Sequence, residues 1–366
     1  MYEGKSVAVV VPAYNEEGLV GGVIDTVPEF ADRVYVIDDC STDGTWAEIQ
    51  SHAERAEAVA DGTTMGDGGA MDDGGRTGDG GAMDDGGRTG DGGAMSGGGR
   101  MNDGGRMNDA RANFDRRIVP IRHSENRGVG AAIKTGYCRA HEENIDVTAV
   151  MAGDGQMRPE MLARIIQPIV DGRADYTKGN RLSTPGFREG MSAWRSFGNW
   201  LLTFLTKVAS GYWGMVDPQN GYTAISSRAL SKLAIEDVYD DYGFANALLV
   251  RLNVHDMRVA DVTMPAVYGD EQSTIRYSTF IPKLSALLLW SFLWRIKTKY
   301  LVRDFHPLAF LYGLGALGTA AGLLSLARRK RGSSDGLTAM LLGGICFVLA
   351  MAFDREETAE LEVRNE

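Results

Sequence analysis

Four short segments gather carboxylates, amides and glycines at a spacing that could do chemistry. They are Val11-Pro12-Ala13-Tyr14-Asn15-Glu16-Glu17, Ile37-Asp38-Asp39-Cys40-Ser41-Thr42-Asp43-Gly44-Thr45, Asn126-Arg127-Gly128-Val129-Gly130-Ala131-Ala132 and Ala152-Gly153-Asp154-Gly155-Gln156. Carboxylates of this kind can accept hydrogen bonds from a base N–H and from ribose hydroxyls. A carboxylate beside a diphosphate would repel it unless a divalent cation lay between them. Mg2+ suits that place, since it takes one or two carboxylates together with phosphate oxygens and stabilises a departing nucleoside diphosphate. The combination fits a nucleotide-sugar. Each segment also has a plain structural reading: Asp38 and Asp39 as helix caps, Asn15-Glu16-Glu17 as a first helical turn, 126–132 as a glycine-eased helix start and Asp154 as a turn residue.

These segments need elements to hold them. Residues 6–11 form a short β-branched run closed by Pro12, and 34–37 form a second; both read as fully buried strands. Ser41, Thr42 and Asp43 offer N-caps for a helix reaching about residue 60. The alternation resumes with a strand at 118–121, a helix at 128–140, a strand at 147–151, a helix at 159–170 opened by Pro159 and a strand at 175–178. A further strand is expected at 258–262. All four segments then fall at the carboxyl ends of strands, where open parallel sheets bind ligands. The fold class is α/β, Rossmann-like, with a mainly parallel sheet.

Residues 61–112 interrupt this pattern with a Gly- and Asp-rich unit of twelve residues, 77–88, nearly copied at 65–76 and 89–100. Such a tract buries too little apolar surface to offset chain entropy. It lacks the nonapeptide period of a calcium-binding β-helix. It reads as an expanded, disordered surface loop inside one domain.

Residues 280–300 are apolar and aromatic, with Lys283, Arg295, Lys297 and Lys299 towards the ends. They suit a helix lying in a membrane interface; a buried core helix is the alternative. Residues 307–327 match the thickness of a hydrocarbon core, and 336–353 are marginal. Together they read as a membrane-crossing hairpin. The basic loop 328–331 would lie outside if the catalytic domain were cytoplasmic, against the positive-inside rule. Either the hairpin does not fully cross, or Lys297, Lys299 and Arg303 outweigh the loop.

The formal net charge of −11 excludes a sequence-independent nucleic-acid binder, which needs clustered Lys and Arg. Nine Lys against 29 Arg, with abundant carboxylates, suggest adaptation to high salt, as in halophilic archaea. Cys40, Cys138 and Cys346 have neither metal-ligand spacing nor an even-numbered disulfide framework. No signal peptide is visible, so the first domain is expected in the cytoplasm. The five histidines are scattered and none is assigned a role.

The Pro-Ala-Tyr-Asn-Glu and Asp-Asp-x-Ser-x-Asp-Gly-Thr pair resembles the family-2 glycosyltransferases of GT-A fold, in particular dolichyl-phosphate mannose and glucose synthases and bacterial polyprenyl-phosphate relatives. The likeness covers about 5–60 and 113–300, with the hairpin also typical. It implies that Pro12, Tyr14 and Glu16, with Asp38 and Gly128, form the nucleotide-sugar pocket, and that Asp39 holds a uridine or guanosine. The family's metal motif reads Asp-x-Asp-x-Gln. Here Ala152 replaces the first Asp, leaving Asp154 and Gln156 for Mg2+ or Mn2+.

The likeness also implies that Arg181 and Arg195 bind the phosphate of a polyisoprenyl acceptor, for which guanidinium is suited. As residues alone, both could be solvated surface charges. The segment 217–222 resembles the one closing the active site, with Asp217 a catalytic candidate beside Asp154. The implied enzyme transfers a hexose from a UDP- or GDP-sugar to dolichyl phosphate. It is a multi-pass cell-membrane protein with a cytoplasmic catalytic domain at 1–270, an interface region at 271–304, a hairpin at 305–354 and an acidic tail at 355–366. Two rivals stand beside it. One extends a lipid-linked oligosaccharide and needs Asp217 as general base. The other is a non-catalytic sugar-nucleotide binder, motivated by Ala152.

Overall fold

The structure is a computed structural model that describes residues 1–60, 117–181, 193–265, 277–327 and 334–363. The repeat at 61–112 and the basic loop at 328–331 lie outside the described residues.

The chain folds around an eight-stranded sheet in the order β3-β2-β1-β4-β6-β5-β7-β8. The central strand β1, Val7–Ala13, is buried along its whole length. It pairs in parallel with β2, Arg33–Asp38, on one side and β4, Val147–Val150, on the other. β3, Ile118–Arg122, extends the β2 side. β5, Tyr176–Asn180, and β7, Val259–Thr263, are parallel to each other. Between β4 and β5 sits β6, Thr223–Ser226, antiparallel to both.

This is the α/β arrangement expected of a GT-A domain, and six strands fall where the apolar runs placed them. β6 was not anticipated: four residues with no flanking alternation leave a weak signal. Nor was β8, Glu362–Val363, which brings the acidic tail back to pair with Val259 and Ala260 of β7.

A sheet covered on both faces needs apolar residues on both, and β1 supplies them by alternation. Val7, Val9 and Val11 pack on one face with α1, Val20–Thr26, α2, Thr45–Ala60, and α4, Leu162–Val170. Ala8 and Val10 pack on the other with α3, Val129–Glu142, α6, Ser227–Lys232, and α7, Phe244–Val254. β1 has β2 on one side and β4 on the other, and the region beyond its carboxyl end is the usual ligand place in such sheets.

α5, Ala193–Ser210, and α8, Tyr277–Arg295, form a separate layer. Leu284 and Leu288 of α8 are buried with Ala209 and Val250, whereas Leu289, Trp290 and Leu293 are exposed, Trp290 to 73%. The core-helix alternative thus accounts for one side of α8, and its outer side is apolar as well. A π-helical stretch, Ile296–Arg303, continues α8. Two of the cations named there as membrane-flanking are engaged within the protein: Asp256 takes Lys299 at 2.9 Å and Arg303 at 2.7 Å. Lys297 is exposed.

Two helices among the described residues are long and apolar enough to cross a membrane: α9, Leu308–Ala327, and most of α10, Ser334–Glu357. Twenty residues of α9 span about 30 Å. α10 runs past the apolar stretch 336–353 and carries Asp354, which is buried against Arg295. The two pack through small residues. A Cβ on Gly343 would lie 2.7 Å from the Gly318 carbonyl carbon, and one on Gly322 2.6 Å from the Met340 nitrogen. The backbones therefore touch.

Candidate active site

The strand tips are held by loop-to-loop hydrogen bonds that join the first two motifs into one unit. Asn15 takes a left-handed conformation, φ 56°, and its side-chain oxygen accepts from the Thr42 N–H at 2.9 Å. The Asn15 N–H donates to the Ser41 hydroxyl at 3.0 Å and that of Glu16 to the Thr45 hydroxyl at 2.8 Å. The Gly44 N–H donates to Glu17 at 2.9 Å. Cys40 also takes positive φ, 63°, turning the chain sharply after Asp39. Pro12 is buried beneath this unit, Glu16 is half-buried and Tyr14 is exposed at the rim.

Asp38 and Asp39 follow β2 and are both buried. Asp38 accepts from the Ser41 N–H at 3.0 Å and pairs with the Arg122 guanidinium at 2.9 Å. Asp39 is held by three donors. Its Oδ1 takes the His123 Nδ1 at 2.7 Å and the Arg127 N–H at 3.0 Å; its Oδ2 takes the Gly128 N–H at 2.7 Å. Gly128 therefore reaches the site through Asp39. At φ 92° a side chain there would strike the Asp240 carbonyl, which also accepts from the Ala131 N–H at 3.0 Å. The start of α3 is closed by protein. His123 lies outside the four motifs, and no local pattern marks it. Its signal was its position, one residue beyond the end of β3 and level with the other strand tips.

The β4 tip lies against β1. The Gly153 N–H donates to the Pro12 carbonyl at 3.1 Å, and the Asp39 N–H donates to the Ala13 carbonyl at 2.9 Å. Asp39 from the β2 side and Gly153, next to Asp154, from the β4 side thus bond consecutive residues at the end of β1. Asp154 is half-buried and its Oδ1 accepts the Gln156 N–H at 3.0 Å across a tight turn in which Gly155 has φ 70°.

Ala152 removes the other carboxylate of this motif, and no group of three or more His, Cys, Asp or Glu among the described residues could hold a metal. One carboxylate and an amide fit a divalent cation that arrives with a diphosphate and completes its shell from phosphate and water oxygens.

Because β6 runs opposite to its neighbours, the segment 217–222 that leads into it arrives at the same edge of the sheet. Asp217, buried, receives the Arg181 Nε at 2.9 Å and the Arg181 N–H at 3.3 Å. The Arg181 side chain is half-exposed, so the carboxylate holds the guanidinium from behind. Arg195 lies on the first turn of α5, and its side chain falls outside the described residues.

Below Arg181, burial pushes the Lys178 ammonium down to about 8 and the Asp261 carboxyl up to about 6. Lys178 donates to the Asn220 carbonyl and Asp261 accepts from the Val216 N–H at 2.8 Å. A cavity of about 430 Å3 opens beside them, lined in part by Asn180, Asp261 and Glu362. Its carboxylates oppose a phosphate, and it lies to the side of the β1 and β4 tips.

Carboxylates gathered beyond the end of a central parallel strand are the arrangement of a nucleotide-binding α/β enzyme. The chain belongs to glycosyl transferase family 2, whose sequence pattern matches residues 8–77 and 104–234. It is a glycosyltransferase.

Among curated relatives, the UDP-N-acetylglucosamine–dolichyl-phosphate N-acetylglucosaminyltransferase of Methanococcus voltae is 24% identical over 267 residues, 73% of this chain and 87% of that one. An uncharacterized protein of Methanocaldococcus jannaschii is 25% identical over 153 residues, 42% of this chain and 63% of that one. Among solved structures, glucosyl-3-phosphoglycerate synthase from Mycobacterium tuberculosis with Mn2+, UDP and glucosyl-3-phosphoglycerate has a TM-score of 0.47 at 16% identity, covering 80% of each chain.

Proposed function

We propose that the protein transfers a hexose or N-acetylhexosamine from a UDP- or GDP-linked donor to a polyisoprenyl phosphate of the dolichyl type at the cytoplasmic face of a membrane. The observation that carries this reading is that Asp39 and Gly153, the residue before Asp154, bond the consecutive carbonyls of Ala13 and Pro12, which sets the β2 and β4 tips on either side of the β1 tip. In this reading the Asp39 carboxylate meets the base and the Asp154 carboxylate faces the diphosphate. The Methanococcus voltae relative, whose name gives UDP-N-acetylglucosamine and dolichyl phosphate, supports the same pairing of substrates.

In this reading Pro12, Tyr14 and Glu16 line the nucleotide pocket, and Asp38 fixes the loop through Ser41 and Arg122. Asp154 and Gln156 would hold Mg2+ or Mn2+, which would offset the charge of the leaving nucleoside diphosphate. Arg181, braced by Asp217, and Arg195 hold the lipid phosphate in line with the anomeric carbon. A phosphate oxygen attacks that carbon as its bond to the donor's phosphate oxygen breaks, with inversion. The acceptor is already ionised, so no strong general base is needed. Asp217 acts by positioning Arg181.

The hairpin α9–α10 crosses the bilayer and the apolar outer side of α8 rests on it, which brings a lipid-borne phosphate to the sheet edge. Incubating membranes with a panel of labelled nucleotide-sugars and dolichyl phosphate tests the reading. A mild-acid-labile monosaccharyl lipid is expected. A lengthened glycan would instead establish transfer to a sugar hydroxyl, and metal-dependent donor binding with no transfer would establish a non-catalytic binder.

A further inference from the structure

We infer that His123 determines which nucleobase the donor carries, by leaving Asp39 with one open hydrogen-bonding position and so favouring uracil over guanine. The inference rests on the reading that Asp39 holds the base.

An ionised carboxylate offers about four lone-pair positions, two on each oxygen. In this structure Oδ1 has both filled, by the His123 Nδ1 at 2.7 Å and the Arg127 N–H at 3.0 Å. Oδ2 has one filled, by the Gly128 N–H at 2.7 Å. A single acceptor position on Oδ2 is left.

Uracil presents one ring donor, N3–H, between two carbonyls, and one acceptor position is what it requires. Guanine presents N1–H and an exocyclic N2–H side by side, an edge that matches both oxygens of a carboxylate. Here its second donor would meet an oxygen already saturated, and a desolvated N–H without a partner is costly. The two backbone donors come from the chain leading into α3 and cannot be altered by side-chain substitution. His123 is the adjustable element.

Its ring is fixed at both ends. Nε2 lies 2.9 Å from the Thr135 hydroxyl, which lies 3.1 Å from the Ala131 carbonyl in α3. The His123 N–H donates to the Asp38 carbonyl at 2.9 Å, anchoring the residue to β2. The His123 side chain is 7% exposed and that of Asp39 4%. Water therefore does not compete for the bond, and the Nδ1–H is directed at Oδ1 irrespective of what enters the pocket. The role is that of a positioning residue for specificity; it takes no part in the bond changes.

The test is the dissociation constant of UDP and of GDP, each with Mg2+, measured by calorimetry on the full chain in detergent. The parent is expected to bind UDP more tightly. His123→Leu, which removes the donor and reopens Oδ1, should shift the GDP-to-UDP ratio of dissociation constants about tenfold towards GDP. His123→Asn, which keeps an N–H near the place of Nδ1, should retain the parent's preference.

A purely structural role would lower the fraction of active protein and leave the ratio unchanged. An unchanged ratio in His123→Leu, or a parent that binds GDP as tightly as UDP, overturns the inference. Asp39→Asn separates this from the underlying reading. If it weakens UDP binding while His123→Leu leaves the ratio alone, only the role of His123 fails. If it leaves both nucleotides unaffected, Asp39 does not hold the base and both fail.

Discussion

Removing the Asp354 carboxylate should loosen the hairpin from the catalytic domain. Arg295, on α8, and Asp354, on α10, are both fully buried and meet fork to fork, Nη1 to Oδ1 at 2.9 Å and Nη2 to Oδ2 at 2.8 Å. Asp354 also accepts from the Tyr300 hydroxyl at 2.6 Å and the Tyr312 hydroxyl at 3.2 Å. Arg295 donates to the Ala209 carbonyl at 2.9 Å and the Val208 carbonyl at 3.0 Å at the end of α5. One buried pair thus ties α5, α8, α9 and α10 together.

In Asp354→Leu the guanidinium keeps its carbonyl partners but loses its counter-charge, and two phenols lose their acceptor. Breaking one side of a buried pair costs about 3 to 5 kcal/mol. For a chain of this length that should lower the midpoint of thermal inactivation by on the order of 5 to 10 °C. The assay is residual transferase activity after heating in detergent, read as an operational stability. Adding Arg295→Met should recover most of the loss, because an apolar pair of similar volume carries no uncompensated charge. An unchanged inactivation temperature in Asp354→Leu would refute the reasoning, as would a double variant no better than the single one.

Three further outcomes follow from the same geometry. Ala152→Asp should lower the Mg2+ or Mn2+ concentration for half-maximal activity about tenfold by adding a second carboxylate, while the parent already turns over; a metal titration checks both. Gly343→Ala should destabilise the hairpin, since its Cβ would lie 2.7 Å from the Gly318 carbonyl carbon, whereas Gly344→Ala, which meets nothing within 4 Å, should not; heating in detergent separates them.

The third outcome concerns Asp261. Its carboxyl, pushed up to about 6, keeps its proton in the folded state over a pH range where the unfolded chain has released it. Stability should therefore fall as pH rises from about 4 to about 6, by on the order of 2 to 3 kcal/mol from this group. Asp261→Asn should flatten that decline in denaturant titrations at fixed pH.

What could be read in the sequence was what short-range pattern records. The buried runs at β1 and β2 are continuous and β-branched, so they announced strands in a parallel sheet, and the motifs beyond them announced strand tips. Long-range bonding leaves no such trace. Nothing local shows that Asn15 accepts from Thr42, or that His123 faces Asp39 across 84 positions. The motif residues look like ligand contacts in the sequence, yet several of them, among them Asn15, Glu17, Ser41 and Thr45, bond one another.

The C-terminal segment shows the same limit. In the sequence 355–366 is only an acidic tail and Asp354 the last residue of the hairpin, whereas Glu362 enters the sheet beside Val259 and Asp354 is buried. Arg295 reads as a helix-end cation for a membrane surface and is instead wholly enclosed. In each case the deciding partner lies on another element, and periodicity carries no information about it.

The proposed reaction is defined by which bond of the donor breaks. A nucleotide-sugar labelled with 32P in the phosphate that bears the sugar distinguishes the possibilities in one experiment with dolichyl phosphate and membranes containing this protein. Attack at the anomeric carbon leaves the label in the released nucleoside diphosphate and yields an unlabelled lipid-phospho-sugar. Label recovered in the lipid, with release of a nucleoside monophosphate, would mean attack at phosphorus and would contradict it.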